Sequence, residues 1–118
     1  MKRGLVGDAL LLAHMRECIT RIDEYTGGER ERFELLPLVQ DAVIRKLHTL
    51  TESSQRLSDE IKMIEPQVPW SALSGFRNIV VHAYLNIELA AVWSVVENDL
   101  PLLAAALERM AAHASAPP

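Results

Sequence analysis

The sequence is poor in the residues that build stapled or many-stranded domains. One cysteine, Cys18, stands among 118 residues, which excludes an internal disulfide and any zinc site made of cysteines. Five glycines and six prolines are too few for a loop-rich β domain. Basic charge is not in excess either: twelve Lys and Arg face sixteen Asp and Glu, a formal charge of −4. That balance excludes holding nucleic acid by diffuse electrostatics alone, so any phosphate chemistry needs a local, well-placed cation. Apolar runs such as Leu100 to Leu107 fall far short of the roughly 18 residues of a spanning helix, and no membrane segment is expected. Lys2 and Arg3 precede Leu5 and Val6, but Asp8 interrupts the run; no secretion signal is read, and the expected setting is a reducing cytoplasm. What the chain does hold is 49% apolar and 24% charged residues, enough for one folded domain over residues 1–113 with a loose tail at 114–118.

Helical periodicity runs through most of the chain. Leu12, Met15, Ile19 and Ile22, widened by Leu11, Cys18 and Tyr25, predict a first helix from about Asp8, as N-cap, to Tyr25, stopped by Gly27-Gly28. The charged stretch Glu29 to Glu34 reads as a solvated connection. Leu36, Val39, Val43, Leu47, Leu50, Ser54, Leu57 and Ile61 predict one long second helix to Met63, with Pro37 in its first turn. Pro66 and Pro69 mark a loop, Trp70 to about Tyr84 a third helix, and Leu85-Asn86-Ile87 a turn. A fourth helix from Glu88 carries Val92, Val95, Val96, Leu100, Leu103, Leu107 and Met110, and Pro101 must kink or divide it. The expected fold is all-α: an antiparallel bundle of four helices, or five with the Pro101 break.

One segment is anomalous. From Pro66 to Ile87 the only formally charged side chain is Arg77, set in an otherwise apolar helix with Asn78, His82 and Tyr84 close behind. Burying a lone guanidinium is costly, so Arg77 either pairs with a carboxylate such as Asp41 of the neighbouring helix or does chemistry. At about 100° per residue, His82 lies roughly 140° around the helix from Arg77, while Tyr84 returns to within about 20° of it. The two groups therefore converge poorly from a single straight helix. Two copies meeting at a dimer axis, with Ile79, Val80 and Val81 between them, can offer both to one cleft. There Arg77 binds a phosphodiester and His82 acts as acid or base. The alternatives, a satisfied core histidine and a rim tyrosine, stay open at this point. His48 and His113 are expected to face solvent, Trp70 to anchor the third helix, and Trp93 to sit in the core. Asp41 and Arg45 are expected to form a surface ion pair. His14 and Cys18, four residues apart, lack further ligands, so no metal site is expected.

The run Arg77-Asn-Ile-Val-Val-His82-Ala-Tyr84 resembles the Arg-x4-His-x-Tyr motif of the HepT-like branch of the HEPN superfamily. Glu24-Tyr25-Thr26, Gln40-Asp-Ala-Val-Ile-Arg45, Val68-Pro-Trp70, Gly75-Phe-Arg-Asn78, Val92-Trp93 and Asn98-Asp-Leu-Pro101 resemble the family at family-like spacing over nearly the whole chain. The resemblance implies a homodimeric HEPN bundle acting as a metal-independent endoribonuclease, the toxin of a type VII toxin–antitoxin pair. It implies that Arg77 and His82 are catalytic, that Asn78 positions substrate, and that Tyr84 receives AMP from an MntA-like nucleotidyltransferase antitoxin. No cofactor is implied. Ala83 stands where the family often has an acidic residue, and Thr51-Glu-Ser-Ser54 departs from its usual Gly-Glu-Ala-like stretch. A different class of reading is a non-catalytic dimeric module that docks a nucleotidyltransferase or a nucleotide through the same cleft; a third is a purely structural helical domain.

Overall fold

The computed structural model describes residues 2–83, 85 and 88–114, without the side chains of 2–6. Among these residues every regular element is helical. The first helix, α1 (Lys2–Thr26), starts earlier than expected because Asp8 is not its cap. Asp8 is 2% exposed, and its two carboxylate oxygens accept from the Ser58 backbone N–H (2.9 Å) and hydroxyl (2.6 Å), 50 residues away. Gly27 and Gly28, at φ 61° and 74°, end α1 as read from the sequence, since only glycine takes that backbone freely. The next stretch corrects the expectation of a solvated connection. It forms α2 (Arg30–Leu35), whose one aromatic, Phe33, is fully buried with its ring 5.6 Å from that of Trp93.

The long second helix is also corrected: it divides. α3 (Pro37–Arg56) stops at Leu57, Ser58 accepts from the Ile61 N–H at 3.2 Å, and α4 (Asp59–Lys62) restarts from that cap. Leu57 and Ile61 are buried on both sides of the break, so the apolar stripe continues although the helix does not. The third helix likewise splits, into α5 (Trp70–Leu73) and α6 (Phe76–Ala83).

The expected break at Pro101 takes an unusual form. α7 (Leu89–Ser94) runs into a π-turn (Val95–Asp99), the Leu100 N–H reaches back to the Val95 carbonyl, and α8 (Leu100–Ala114) continues. The wider turn makes room for a proline ring that has no N–H to give and would press on the preceding turn. Ala114, assigned from sequence to the tail, closes α8; residues 115–118 lie outside the described part. Counted through the π-turn, Leu89–Ala114 is 26 residues long and holds an 18-residue stretch of mean hydropathy 1.3, sufficient by length and composition to cross a membrane. This corrects the reading from uninterrupted runs, which Glu97, Asp99 and Glu108 cut short. Its stripe of Val92, Val96, Leu100, Leu103, Leu107 and Met110 lies in the core of the bundle.

The bundle is elongated, 48 × 24 × 22 Å. α1 packs chiefly on α3 and α8, and α6 rests on α3 and α7. Buried Leu12, Met15, Ile22, Val43, Leu47, Leu50, Leu107 and Met110 make the centre of the core, on the helical stripes read from the sequence.

Candidate active site

The position of α6 is set by the turn before it. The Trp70 indole N–H donates to the carbonyls of Lys62 and Glu65, both at 3.1 Å, tying the start of α5 to the end of α4. Glu65 is anchored in turn: its side chain is 8% exposed and accepts from Arg109 Nη2 at 2.6 Å, from Arg109 Nε at 3.1 Å, and from the Gln67 amide. The hydrogen bonds from Arg109 hold the Glu65 carboxyl below its ordinary value against the opposing effect of burial, and the same contact raises Arg109. The chain stays close to helical through Ser74 (φ −63°, ψ −25°), and Gly75 closes the turn. A Cβ on Gly75 would sit 3.0 Å from the Ala72 carbonyl oxygen.

α6 then divides its residues cleanly. Val80 and Ala83 are buried, and Phe76 and Ile79 half-buried, on one side; Arg77, Asn78, Val81 and His82 are exposed on the other. At about 100° per residue Arg77 and His82 stand at the two edges of that exposed arc, with Asn78 and Val81 between them. The cost of burying a guanidinium therefore does not arise. Among the described residues no carboxylate lies within ion-pair distance of Arg77. The pairing with Asp41 weighed from sequence is absent, and Asp41 and Arg45 are both exposed without forming the expected ion pair. Val80 also departs from expectation. It fills the bundle's own core, so Val81 (52% exposed) and Leu85 (65%) are the apolar groups left beside His82. Tyr84, with Asn86 and Ile87, lies outside the described residues.

A group missed from sequence stands next to His82. Glu88, the N-cap of α7, makes no capping bond with its side chain, and its Oε1 lies 3.9 Å from His82 Nδ1. Its only sequence signal is a carboxylate six residues past the histidine, across a turn. That contact puts a carboxylate beside the imidazole, on the Nδ1 side of the ring. The arrangement thus offers an exposed cation for a phosphate, an amide to orient it, and an imidazole with a carboxylate beside it.

Elsewhere, Cys18 is buried with its sulfur 3.4 Å from the Thr49 hydroxyl and 3.6 Å from His14 Nε2; no cluster of three metal-ligating side chains occurs among the described residues. His113 is exposed as expected, whereas His48 is half-buried.

Comparison with known proteins identifies the family of the chain. The family described as ribonuclease HepT-like matches residues 15–110, a span that holds Arg77, Asn78, His82 and Tyr84. "Probable ribonuclease HepT" of Thermococcus cleftensis is 30% identical over 100 residues, 84% of this chain and 91% of that protein. "Gamma-glutamylcyclotransferase and putative RNase MJ0434" of Methanocaldococcus jannaschii is 33% identical over 95 residues; these are 80% of this chain but 43% of that longer protein. No solved structure matches. With 96 consecutive residues matched, a helical bundle throughout, and an exposed arginine and histidine five residues apart on one short helix, the chain belongs to the HepT-like ribonuclease family.

Proposed function

We propose that this protein is a metal-independent endoribonuclease, working as a homodimer in which α6 of each protomer brings Arg77 and His82 to a shared cleft. The observation that carries this reading is the exposed arc of α6: a cation with no carboxylate partner among the described residues and an imidazole, on a helix whose opposite face is locked into the core. In the reaction, one imidazole takes the proton of a 2′-hydroxyl, whose oxygen attacks the adjacent phosphorus. The bond from phosphorus to the 5′-oxygen breaks, and a second imidazole, in its acid form, protonates that oxygen. Arginine neutralises the charge that builds on the phosphorane, and Asn78 orients the non-bridging oxygens. The products are a 2′,3′-cyclic phosphate and a 5′-hydroxyl end.

In the cell the proposed role is the toxin of a toxin–antitoxin pair acting in the cytoplasm. An MntA-like nucleotidyltransferase silences it by transferring AMP to Tyr84, two residues beyond His82 in the family motif. The added phosphodiester pairs with Arg77 and occupies the place of the substrate phosphate.

The test is cleavage of single-stranded RNA in the presence of a chelator. Arg77→Ala and His82→Ala should each cost about 10²–10⁴-fold in rate; cleavage insensitive to both rejects the site. Co-expression with a nucleotidyltransferase should add adenylyl mass to the native chain and none to Tyr84→Phe.

A further inference from the structure

A second feature lies one helical turn upstream of Arg77. Trp70, Ser71 and Ser74 of the α5 segment form one wall of an open cleft of about 580 Å³, and Gln55, Asp59 and Lys62 line the other side. Trp70 is half-buried but not merely filling space. Its N–H is committed to two backbone carbonyls, which pins the ring while it still lines the cleft. A pinned indole is a stacking surface whose orientation is already set, and stacking accepts any base because every base has a π-face. Met63 and Pro66 add apolar lining, and the polar groups suit a nucleotide's edge and backbone: an amide, two hydroxyls and a carboxylate for the donors and acceptors of a base, and one ammonium for phosphate.

The cleft also leads to the candidate active site. Two exposed hydroxyls at the cleft, Ser71 and Ser74, precede exposed Asn78 and His82 of α6 across the turn at Ser74 and Gly75. Trp70 lies seven residues before Arg77, a span on the order of 10 Å at helical rise. We propose that this cleft is a nucleotide subsite, in which Trp70 stacks a base of single-stranded RNA adjacent to the phosphate held by Arg77. The proposal rests on the ribonuclease reading for its substrate. It explains how an acidic protein holds RNA, since a stacked base supplies affinity that a net charge of −4 does not.

The experiment uses the full chain and a pentanucleotide RNA carrying 2′-O-methyl groups throughout, which binds but has no hydroxyl to attack. In the wild-type protein, titration should move the Trp70 ring-proton resonances upfield and leave those of Trp93, buried beside Phe33, in place. Trp70→Leu, which keeps bulk without a π-face, should bind about tenfold more weakly, and Trp70→Phe should recover most of that loss. Unmoved Trp70 resonances on saturation, Trp70→Leu affinity equal to wild type, or no binding at any concentration each overturns the subsite. Binding with the expected Trp70 signature in a protein that cleaves no RNA upholds the cleft and removes the catalytic reading instead. Arg77- and His82-dependent cleavage with no Trp70 signature does the reverse.

Discussion

Two buried carboxylates, neither of them in the candidate site, hold together the parts that position it. Asp8 joins α1 to the α3–α4 break through both its oxygens. Asp8→Ala leaves the Ser58 N–H and hydroxyl without partners in a nearly closed site, and should cost about 2–3 kcal/mol in urea denaturation. A loss below the error of the measurement would mean that water replaces the carboxylate freely. Glu65 makes a pH-dependent counterpart. Its folded-state carboxyl lies below the unfolded value of 4.5 because Arg109 binds the charged form. A depressed carboxyl stabilises the fold above its unfolded value and loses that contribution as pH falls through the folded one. The stability gap between wild type and Glu65→Gln should therefore be full at pH 7, begin to shrink below about pH 5, and vanish at lower pH. A gap that does not change with pH would show that packing, not charge, makes the contact.

At the scale of elements, α2 buries a single side chain. Arg30, Glu31, Arg32 and Glu34 supply no apolar stripe, and Phe33 alone inserts against Trp93. Phe33→Ala should cost about 3–5 kcal/mol, read as a lowered denaturation midpoint, and should release α2 before the rest of the bundle unfolds. Such a helix is hard to see in a sequence, since one aromatic among charges has no period. The same physics explains which other features were legible. The stripes of α1, α3 and α8 repeat every three to four residues and could be read directly, as could the glycine stop and the disturbance at Pro101. The α3–α4 break was hidden because Ser54, Leu57 and Ile61 keep the helical period across it. At the break the Ser58 N–H donates to Asp8, 50 residues distant, which local pattern cannot carry. At the site, Arg77 stood out through its isolation in a charge-poor segment. Glu88 and the Trp70 cleft depend on how turns fold back, and no spacing rule reports that.

For the molecule as a whole, the arc of α6 decides the chemistry. Arg77 and His82 stand at its opposite edges, separated by Asn78 and by the exposed Val81. One helix cannot close both groups around one phosphate, but two related by a dyad can, each covering Val81 and Leu85 of the other. This makes subunit exchange a sharper test than either single substitution. Arg77→Ala and His82→Ala homodimers should both be inactive. Mixed and allowed to exchange, they form heterodimers in which one protomer retains the arginine and the other the histidine, and RNA cleavage should return in small part, the one imidazole taking the 2′-hydroxyl proton while water protonates the leaving 5′-oxygen. Val81→Glu, which places a charge in the proposed seam, should shift the protein towards monomer in sedimentation and lower cleavage in proportion to the dimer lost. If the mixture stays inactive while exchange is verified by mass, both groups must come from the same protomer. The shared cleft would then give way to two independent sites.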